Sequence, residues 1–207
     1  GNNVRKNVKI ILKAIRQNPS IVQKIYDSKN VDLFMDRGLL NNPEIALKFL
    51  ENEGMFLEKM DEKIRRNAIY VKKAVMSSGN ALKFASKQLR SDIGIVSAAI
   101  EQDVKSVSFM EPSLWKNRKI LGLILAKDGL YLEKVDSSLK GDFDLVLRAV
   151  IQDSRASIHM DDELWANEEI VTKIIESNGL SLEKASNKLK NNYDICMITV
   201  KQNGLAL

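Results

Sequence analysis

The sequence predicts an all-α fold: an α-solenoid, wound as a right-handed superhelix, of about seven 25-residue helical-hairpin repeats. An asparagine or aspartate recurs once per repeat without insertion or deletion, and apolar side chains recur three and eight positions after it. A glycine stands at the twelfth position after this anchor in most repeats. Such a period is typical of stacked units that are each too small to bury their own apolar face. The anchors are Asn42, Asn67, Asp92, Asn117, Asp142, Asn167 and Asn192.

The repeat at 67–91 shows how each unit is expected to begin and end. Asn67 can accept a hydrogen bond from a free amide of the first helical turn, so it predicts a helix N-cap. Apolar residues follow with helical spacing up to Gly79, which we expect to end the helix in the left-handed conformation. Applied to every repeat, the pattern predicts first helices at 43–52, 68–78, 93–102, 118–127, 143–152, 168–177 and 193–202.

A second helical segment follows each first helix and is predicted to break at the nineteenth position after the anchor. Most residues at that position are strong N-cap types, so a short helical turn is expected to restart there. Because the carboxylates among them recur at equivalent positions, we interpret them as helix caps rather than as an acid/base pair. The residues are Asp61, Ser86, Glu111, Asp136, Asp161 and Ser186.

The repeats also pair into 50-residue units. The stretch 98–120 matches 148–170 in its caps, a Gln-Asp pair, a methionine and a tryptophan. Ahead of the array, residues 1–17 predict an N-terminal capping helix and residues 18–41 a degenerate repeat. Residues 42–207 hold the regular repeats, the last of them truncated, and we expect one continuous domain.

The composition bears on where the chain resides and on what its single cysteine can do. The longest apolar run, 120–126, is far shorter than the roughly 20 residues that cross a bilayer, so no membrane span is expected. No export signal opens the sequence, which predicts a cytoplasmic protein or one secreted into a host cell without a visible N-terminal signal. The single cysteine, Cys196, excludes an internal disulfide, and its apolar register equivalents indicate a core residue.

The residue pattern gives little support to an enzyme. The one histidine, His159, has lysine or phenylalanine at its equivalent positions, which is typical of a rim position rather than a reaction centre. Metal binding would need further histidines or cysteines at defined spacing, and the glycines recur singly instead of forming a phosphate-binding loop. We therefore predict a non-enzymatic protein with no catalytic, cofactor-binding or metal-binding residue and no cofactor.

Charge and one side-chain column point to a binding surface. The formal net charge is +5, and the repeat 67–91 has five lysines or arginines and no acid, whereas 142–166 has six acids and two arginines. The twenty-third position after the anchor is basic or tryptophan in six repeats, and arginine and tryptophan are over-represented in interface hot spots. We expect a protein partner with an acidic surface. The candidate partner-binding residues are Arg65, Lys72, Lys73, Lys83, Lys87, Arg90, Trp115, Lys140, Trp165 and Lys190.

Other interpretations stay open. A solvated surface also explains the cations, and packing between repeats also explains the two tryptophans. Single-stranded nucleic acid is an alternative partner, because helical arrays with interleaved basic and aromatic side chains suit it, although the acidic repeats would repel phosphates. A binding module of a larger enzyme, with its catalytic part outside this sequence, is a further alternative.

Three segments carry a resemblance to a known family: GNALKFASKQLRSD, GLSLEKASNKLKNNYDICMITVKQNGLAL and NNPEIALKFL. They resemble the tandem bacterial repeats called domain of unknown function 4116, which are built of similar 50-residue units. Val104 and Ser154 depart from the family pattern, which has glycine there. The resemblance implies an all-helical array, common in bacteria that live inside eukaryotic cells, where such proteins are often secreted effectors or their regulators. A host protein or another bacterial effector is then the expected partner. The family carries no established catalytic residues.

Overall fold

The computed structural model describes residues 7–28 and 35–204, and these are helical with no strand among them. The chain divides into two compact units, unit 1 (Gly1–Pro112) and unit 2 (Ser113–Leu207). Residues 1–6 of the expected capping helix and 29–34 of the degenerate repeat lie outside the described residues. Within the part of the chain that is described, no helix is both long and apolar enough to cross a membrane.

The regular part of the described structure consists of nine α-helices, each nine or ten residues long. The helices are α1 (Val8–Gln17), α2 (Ser20–Ser28), α3 (Pro43–Asn52), α4 (Ala68–Ser77), α5 (Ile93–Gln102), α6 (Arg118–Lys127), α7 (Phe143–Gln152), α8 (Glu168–Ser177) and α9 (Tyr193–Gln202). From α3 onward they coincide with the predicted first helices, α4 ending one residue early. Each of these seven helices is capped by its anchor side chain, as in α6, where Asn117 Oδ1 accepts from the Ile120 N–H at 3.1 Å.

In the six repeats that begin at Asn42 to Asn167, the second segment is a six-residue 3₁₀-helix, not the α-helix that a helical hairpin implies. These segments are Gly54–Lys59, Gly79–Phe84, Val104–Phe109, Gly129–Lys134, Ser154–His159 and Gly179–Lys184. The residue after each segment has an extended backbone, as at Ala85 with φ −69° and ψ 154°. Each segment is therefore limited to two turns of 3₁₀-helix. Buried residues three positions apart, such as Gly79 and Leu82, suit the three-residue turn of a 3₁₀-helix.

Short helical turns complete the repeats and the N-terminal region. They are Arg37–Asn41, Glu62–Arg65, Leu89–Ser91, Pro112–Lys116, Ser137–Leu139, Asp162–Ala166 and Asn187–Lys190. The predicted side-chain cap is formed by Asp136, whose carboxylate accepts from the Ser138 N–H at 3.0 Å. The side chains of Asp61, Asp161 and Ser186 make no such bond, so the cap prediction is wrong at these three positions.

A backbone bond between successive repeats explains what the nineteenth position after the anchor does. The N–H of Ser86 donates to the carbonyl oxygen of Arg65 at 3.0 Å. Equivalent bonds join Glu111 to Arg90, Asp161 to Lys140 and Ser186 to Trp165. Because a main-chain N–H makes this contact, the side chain at the position is free to vary.

The glycine of each repeat has a different role from the one its sequence position suggests. No repeat glycine in the described residues has a left-handed φ, and the α4 C-cap residue, Ser78, is extended at φ −142°. Gly79 instead lies against the next helix, because a Cβ there would come within 2.5 Å of the Ala99 carbonyl oxygen. A Cβ at Gly129 would meet the Ala149 carbonyl oxygen more closely still. The predicted left-handed cap is therefore wrong, and close approach between repeats is what excludes a side chain.

Glutamine side chains from every second repeat accept hydrogen bonds from the N–H groups of the repeat glycines Gly79, Gly129 and Gly179. The Gly79 N–H donates to Gln102 Oε1 at 2.6 Å, and the Gly179 N–H donates to Gln202 Oε1 at 2.7 Å. Gly129 and Gln152 form the equivalent bond at 2.5 Å. The three bonds join the repeats that begin at Asn67 and Asp92, at Asn117 and Asp142, and at Asn167 and Asn192. They therefore recur every 50 residues, which gives the doubled period a physical cause.

Each unit has its own apolar core. In unit 1, α3, α4 and α5 pack side by side, and Ile45 and Leu50 are fully buried. In unit 2, α6 to α9 pack in sequence around residues such as Leu121, Leu125 and Ile175. The apolar columns that begin at Ile45, Leu50 and Ile64, which are three, eight and twenty-two positions after the anchor, are buried. The half-buried exceptions are Tyr70, Leu139, Leu164 and Val200.

Candidate functional site

The basic or tryptophan column lies at the junction between repeats and is not freely exposed. Arg65, Arg90, Lys140 and Lys190 are half-buried. Arg90 Nη2 is 3.0 Å from Glu111 Oε1, and the buried Nε atoms of Arg65 and Arg90 have no hydrogen-bond partner in the described part of the chain. The carbonyl oxygens of Arg65, Arg90 and Lys140 carry bonds between repeats described above. The column therefore has a clear structural role.

The two tryptophans pack inside unit 2. Trp165 is only 7% exposed and belongs to the core of that unit. The Lys184 ammonium lies 5.7 Å from the centroid of the Trp165 ring, a cation–π arrangement. Trp115 is half-buried against the same core, with its ring centroid 6.3 Å from that of Tyr131. Packing accounts for both indoles.

Three of the five cations of 67–91 form ion pairs with acids of adjacent repeats. Lys73 pairs with Glu51 of the preceding repeat at 3.0 Å, and Arg90 and Lys87 approach Glu111 of the following repeat at 3.0 and 3.9 Å. Acids of adjacent repeats thus offset three of the five charges. Hydrogen bonds from Lys48 and then Lys73 lower the pKa of the Glu51 carboxyl, which is consistent with a formed ion pair.

The remaining two cations line separate depressions of unit 1. The Lys83 ammonium lies 4.7 Å from the Phe84 ring centroid and borders an open cleft of about 770 Å³ at the C-terminal ends of the helices, beside Asp103 and Lys105. Lys72 borders a different depression on the outer helical face. The structure therefore separates Lys72 from Lys83.

The depression beside Lys72 is a groove between α4 and α5, of about 450 Å³, and is called the apolar groove below. It is lined by Lys72 and Met76 of α4 and by five residues of α5: Gly94, Ser97, Ala98, Glu101 and Gln102. Two large apolar side chains on α4, Ile69 and Met76, are 67% and 59% exposed. Neither residue was among the sequence candidates.

A second groove lies between α6 and α7 in unit 2 and encloses about 440 Å³. It is called the basic groove below and is lined among others by Arg118, Lys119, Gly122, Leu123, Ala126 and Arg148. Arg118 is 2.6 Å from Asp142 and 3.8 Å from Asp144. Among the described residues, neither Lys119 nor Arg148 has an ion-pair partner.

The single histidine and the single cysteine of the sequence are both half-buried. His159 is half-buried at the end of a 3₁₀-helix. Cys196 is half-buried against the unit 2 core, and its Sγ lies 3.1 Å from the Lys190 carbonyl oxygen. Within residues 7–28 and 35–204, no three His, Cys, Asp or Glu side chains form a group that could hold a metal ion.

The comparison with protein families matches the model "Domain of unknown function (DUF4116)" to residues 69–115 and 167–207. The resemblance seen in the sequence is thereby confirmed over these two segments. Comparison with curated proteins and with solved structures finds no match.

Only one of the two grooves lies within a segment that the family model matches. The first DUF4116 segment covers two successive repeats and contains the apolar groove. The basic groove, formed by α6 and α7, lies between the two matched segments. The grooves stand two repeats apart in the sequence, so a comparison of the two halves in that register would have drawn attention to both.

Proposed function

We propose that this chain is a non-enzymatic scaffold for protein–protein interaction, built as a right-handed α-solenoid of about seven repeats paired into 50-residue units. The regular N-caps, the glycine–glutamine bonds and the backbone bonds between repeats support this architecture. Each element depends on the next repeat for its partners, as expected of a stack. A stack of this kind offers extended surfaces whose side chains vary without disturbing the core.

The exposed apolar stripe on α4 is the observation that carries the interaction role. Ile69, Lys72 and Met76 follow at helical spacing of three and four residues, so they share one face of α4. Ile93 on α5 adds a further 38% exposed side chain. Clustered large apolar side chains in water mark interaction surfaces more often than isolated ones. Burying Ile69 and Met76 against a partner would contribute on the order of 1–3 kcal/mol each.

Charge supports a protein partner with an acidic surface. Lys72 borders the apolar stripe and would attract a carboxylate, and such an attraction speeds association and makes it sensitive to salt. The family resemblance implies a setting for the scaffold, as a secreted effector or effector regulator of an intracellular bacterium. Host-cell lysate and lysate of the producing bacterium are therefore the two sources in which to seek the partner.

A pull-down from both lysates with matched variants tests this function. We expect Ile69→Glu to lose proteins that the unchanged chain retains, because a buried carboxylate at the contact is unfavourable. Ile158→Glu is the control, since Ile158 is 66% exposed but lies on a 3₁₀-helix. Quantitative mass spectrometry measures the retained proteins.

Two results contradict the proposal. One is retention of the same proteins by both variants, which would place the contact elsewhere. The other is retention of RNA alone, with a binding constant that falls steeply with salt, which would favour the nucleic-acid alternative.

A further inference from the structure

We propose that the basic groove between α6 and α7 binds an acidic peptide segment of a partner protein, one that carries an aliphatic side chain beside its carboxylates. The inference rests on the proposed scaffold function and names the chemistry of one of its partners. Three features of the groove carry it: a lysine in the first turn of α6, a glycine in the middle of α6, and an arginine on α7 that has no ion-pair partner in the described part of the chain.

Lys119 stands where the fold itself disfavours a cation. Of the seven helices that follow the repeat anchors, all of them within the described residues, only α6 has basic residues in its first turn, Arg118 and Lys119. The free N–H groups there make the N-terminal end of a helix electropositive, so cations are repelled. Asp142 and Asp144 offset Arg118. Lys119, without an ion-pair partner among the described residues, gains nothing comparable from the fold.

Gly122 is the fifth residue of the ten-residue helix α6 and has no structural requirement for glycine. Glycine is less favourable than alanine inside a helix. A Cβ at Gly122 would meet only Arg148 Cδ and Nε, both at 3.8 Å, which is ordinary van der Waals contact. An alanine would therefore fit and strengthen the helix. What the glycine provides is an open floor in the groove, beneath the Arg148 side chain.

Arg148 completes the site from the opposite wall. Its side chain passes over Gly122, and it has no ion pair or hydrogen bond among the described residues. A guanidinium presents paired donors that match the two oxygens of a carboxylate. Leu123 and Ala126 supply apolar surface along the same groove. Cations at two points and an apolar floor between them complement a carboxylate–aliphatic–carboxylate arrangement.

The dimensions and the neighbouring acids select a peptide. Lys119 and Ala126 are seven residues apart, about 10 Å along the helix axis, which is the length of about three extended peptide residues. Asp144, 72% exposed, stands at the same end of the groove as Arg118. A continuous phosphate backbone would be repelled there, whereas a peptide can present its charges only where the cations are.

Selection of random 12-residue peptides displayed on phage, with the full 207-residue chain as the bait, tests the proposal. We expect the enriched peptides to carry aspartate or glutamate next to leucine, isoleucine or methionine. Fluorescence anisotropy with the most enriched peptide then compares the chain with the double variant Lys119→Glu, Arg148→Glu. We expect its affinity to fall about tenfold or more, because charge-assisted hydrogen bonds are lost.

Controls separate binding from folding. Lys188→Glu makes the same charge change in unit 2 as Lys119→Glu alone, at an exposed residue of the turn Asn187–Lys190. It should leave the affinity within about twofold of the unchanged chain, as is usual for a distant surface charge. Lys119→Glu alone should keep or raise the Tm while weakening binding, since an acid suits the first turn of α6.

Several outcomes overturn the proposal. These are enrichment of peptides without carboxylates, absence of any enriched peptide, equal binding by the double variant, or displacement of the peptide by oligouridylate at lower concentration than by free peptide. None of them bears on Ile69 of α4. A pull-down that depends on Ile69 would thus leave the scaffold function standing while the basic groove loses its assigned ligand.

Discussion

The positions that Lys119 and Arg148 occupy in the basic groove are held, two repeats earlier, by Ile69 on the exposed face of α4 and by Ala98 of the apolar groove. Conversely, the cation Lys72 of the apolar groove has a glycine, Gly122, as its equivalent in the basic groove. Both grooves lie between the first helices of two successive repeats, and both have about the same volume. The lining of the apolar groove includes one cation, Lys72, and one acid, Glu101. The lining of the basic groove includes three cations and one acid, Asp144, around a small apolar floor.

The buried residues beneath the two grooves do not differ in this way. Val71 and Ile95 lie under the apolar groove, and their equivalents Leu121 and Leu145 lie under the basic groove, all 3% exposed or less. The core thus fixes that a groove exists, while the outward side chains of the same helices decide what it binds. This is why a helical repeat can keep one fold and take unrelated partners.

Removal of a core side chain under one groove should have the largest effect. Leu125 is fully buried in unit 2, so Leu125→Ala should lower the free energy of unfolding by about 2–5 kcal/mol through lost burial and a cavity. Its equivalent in unit 1, Val75, is also fully buried but smaller, and Val75→Ala should cost less. Urea unfolding followed by circular dichroism measures both. A loss under about half a kcal/mol at Leu125 would mean that the column is not core.

Two glycines of unit 2 should respond to alanine with opposite sign. At Gly129 a Cβ would collide with the Ala149 carbonyl oxygen, so Gly129→Ala should destabilise by about 1–3 kcal/mol. At Gly122 the space is open, so Gly122→Ala should stabilise by about 0.5–1 kcal/mol through helix propensity. Thermal unfolding of both variants makes the comparison. Equal destabilisation would show that Gly122 has a packing role and would weaken the argument for an open groove floor.

Grafting the basic side chains into the other groove should transfer the binding specificity. The triple variant Ile69→Lys, Lys72→Ala, Ala98→Arg gives the apolar groove the cations of the basic groove and a small floor. We expect its stoichiometry for the selected acidic peptide to rise from one to two, measured by isothermal titration calorimetry. The second site should gain about tenfold in affinity over the unmodified groove, or about 1.4 kcal/mol. An unchanged stoichiometry would mean that the grooves differ in more than these side chains.

The sequence by itself determined the features that depend on neighbouring residues. The anchors from Asn42 to Asn192 cap helices within three residues of themselves, so the start of each first helix was predictable from local hydrogen bonding. Helical spacing of apolar residues identified buried positions such as Leu50 and Leu125 for the same reason. The pairing of repeats was visible too, in the Gln-Asp pair that recurs two repeats later.

Only the tertiary structure decided what happens between repeats, because those contacts join residues that are far apart in the chain. Gly79 was expected to end α4 by its own conformation, but it is required by the carbonyl oxygen of Ala99 in the next helix. Arg90 was a candidate for partner binding, but Glu111 of the next repeat pairs with it. Local sequence cannot show which distant backbone or charge will arrive at a position. The sequence therefore identified the cations of the array. Only the tertiary structure shows which of them, such as Lys119 and Arg148, have no ion-pair partner in the described part of the chain.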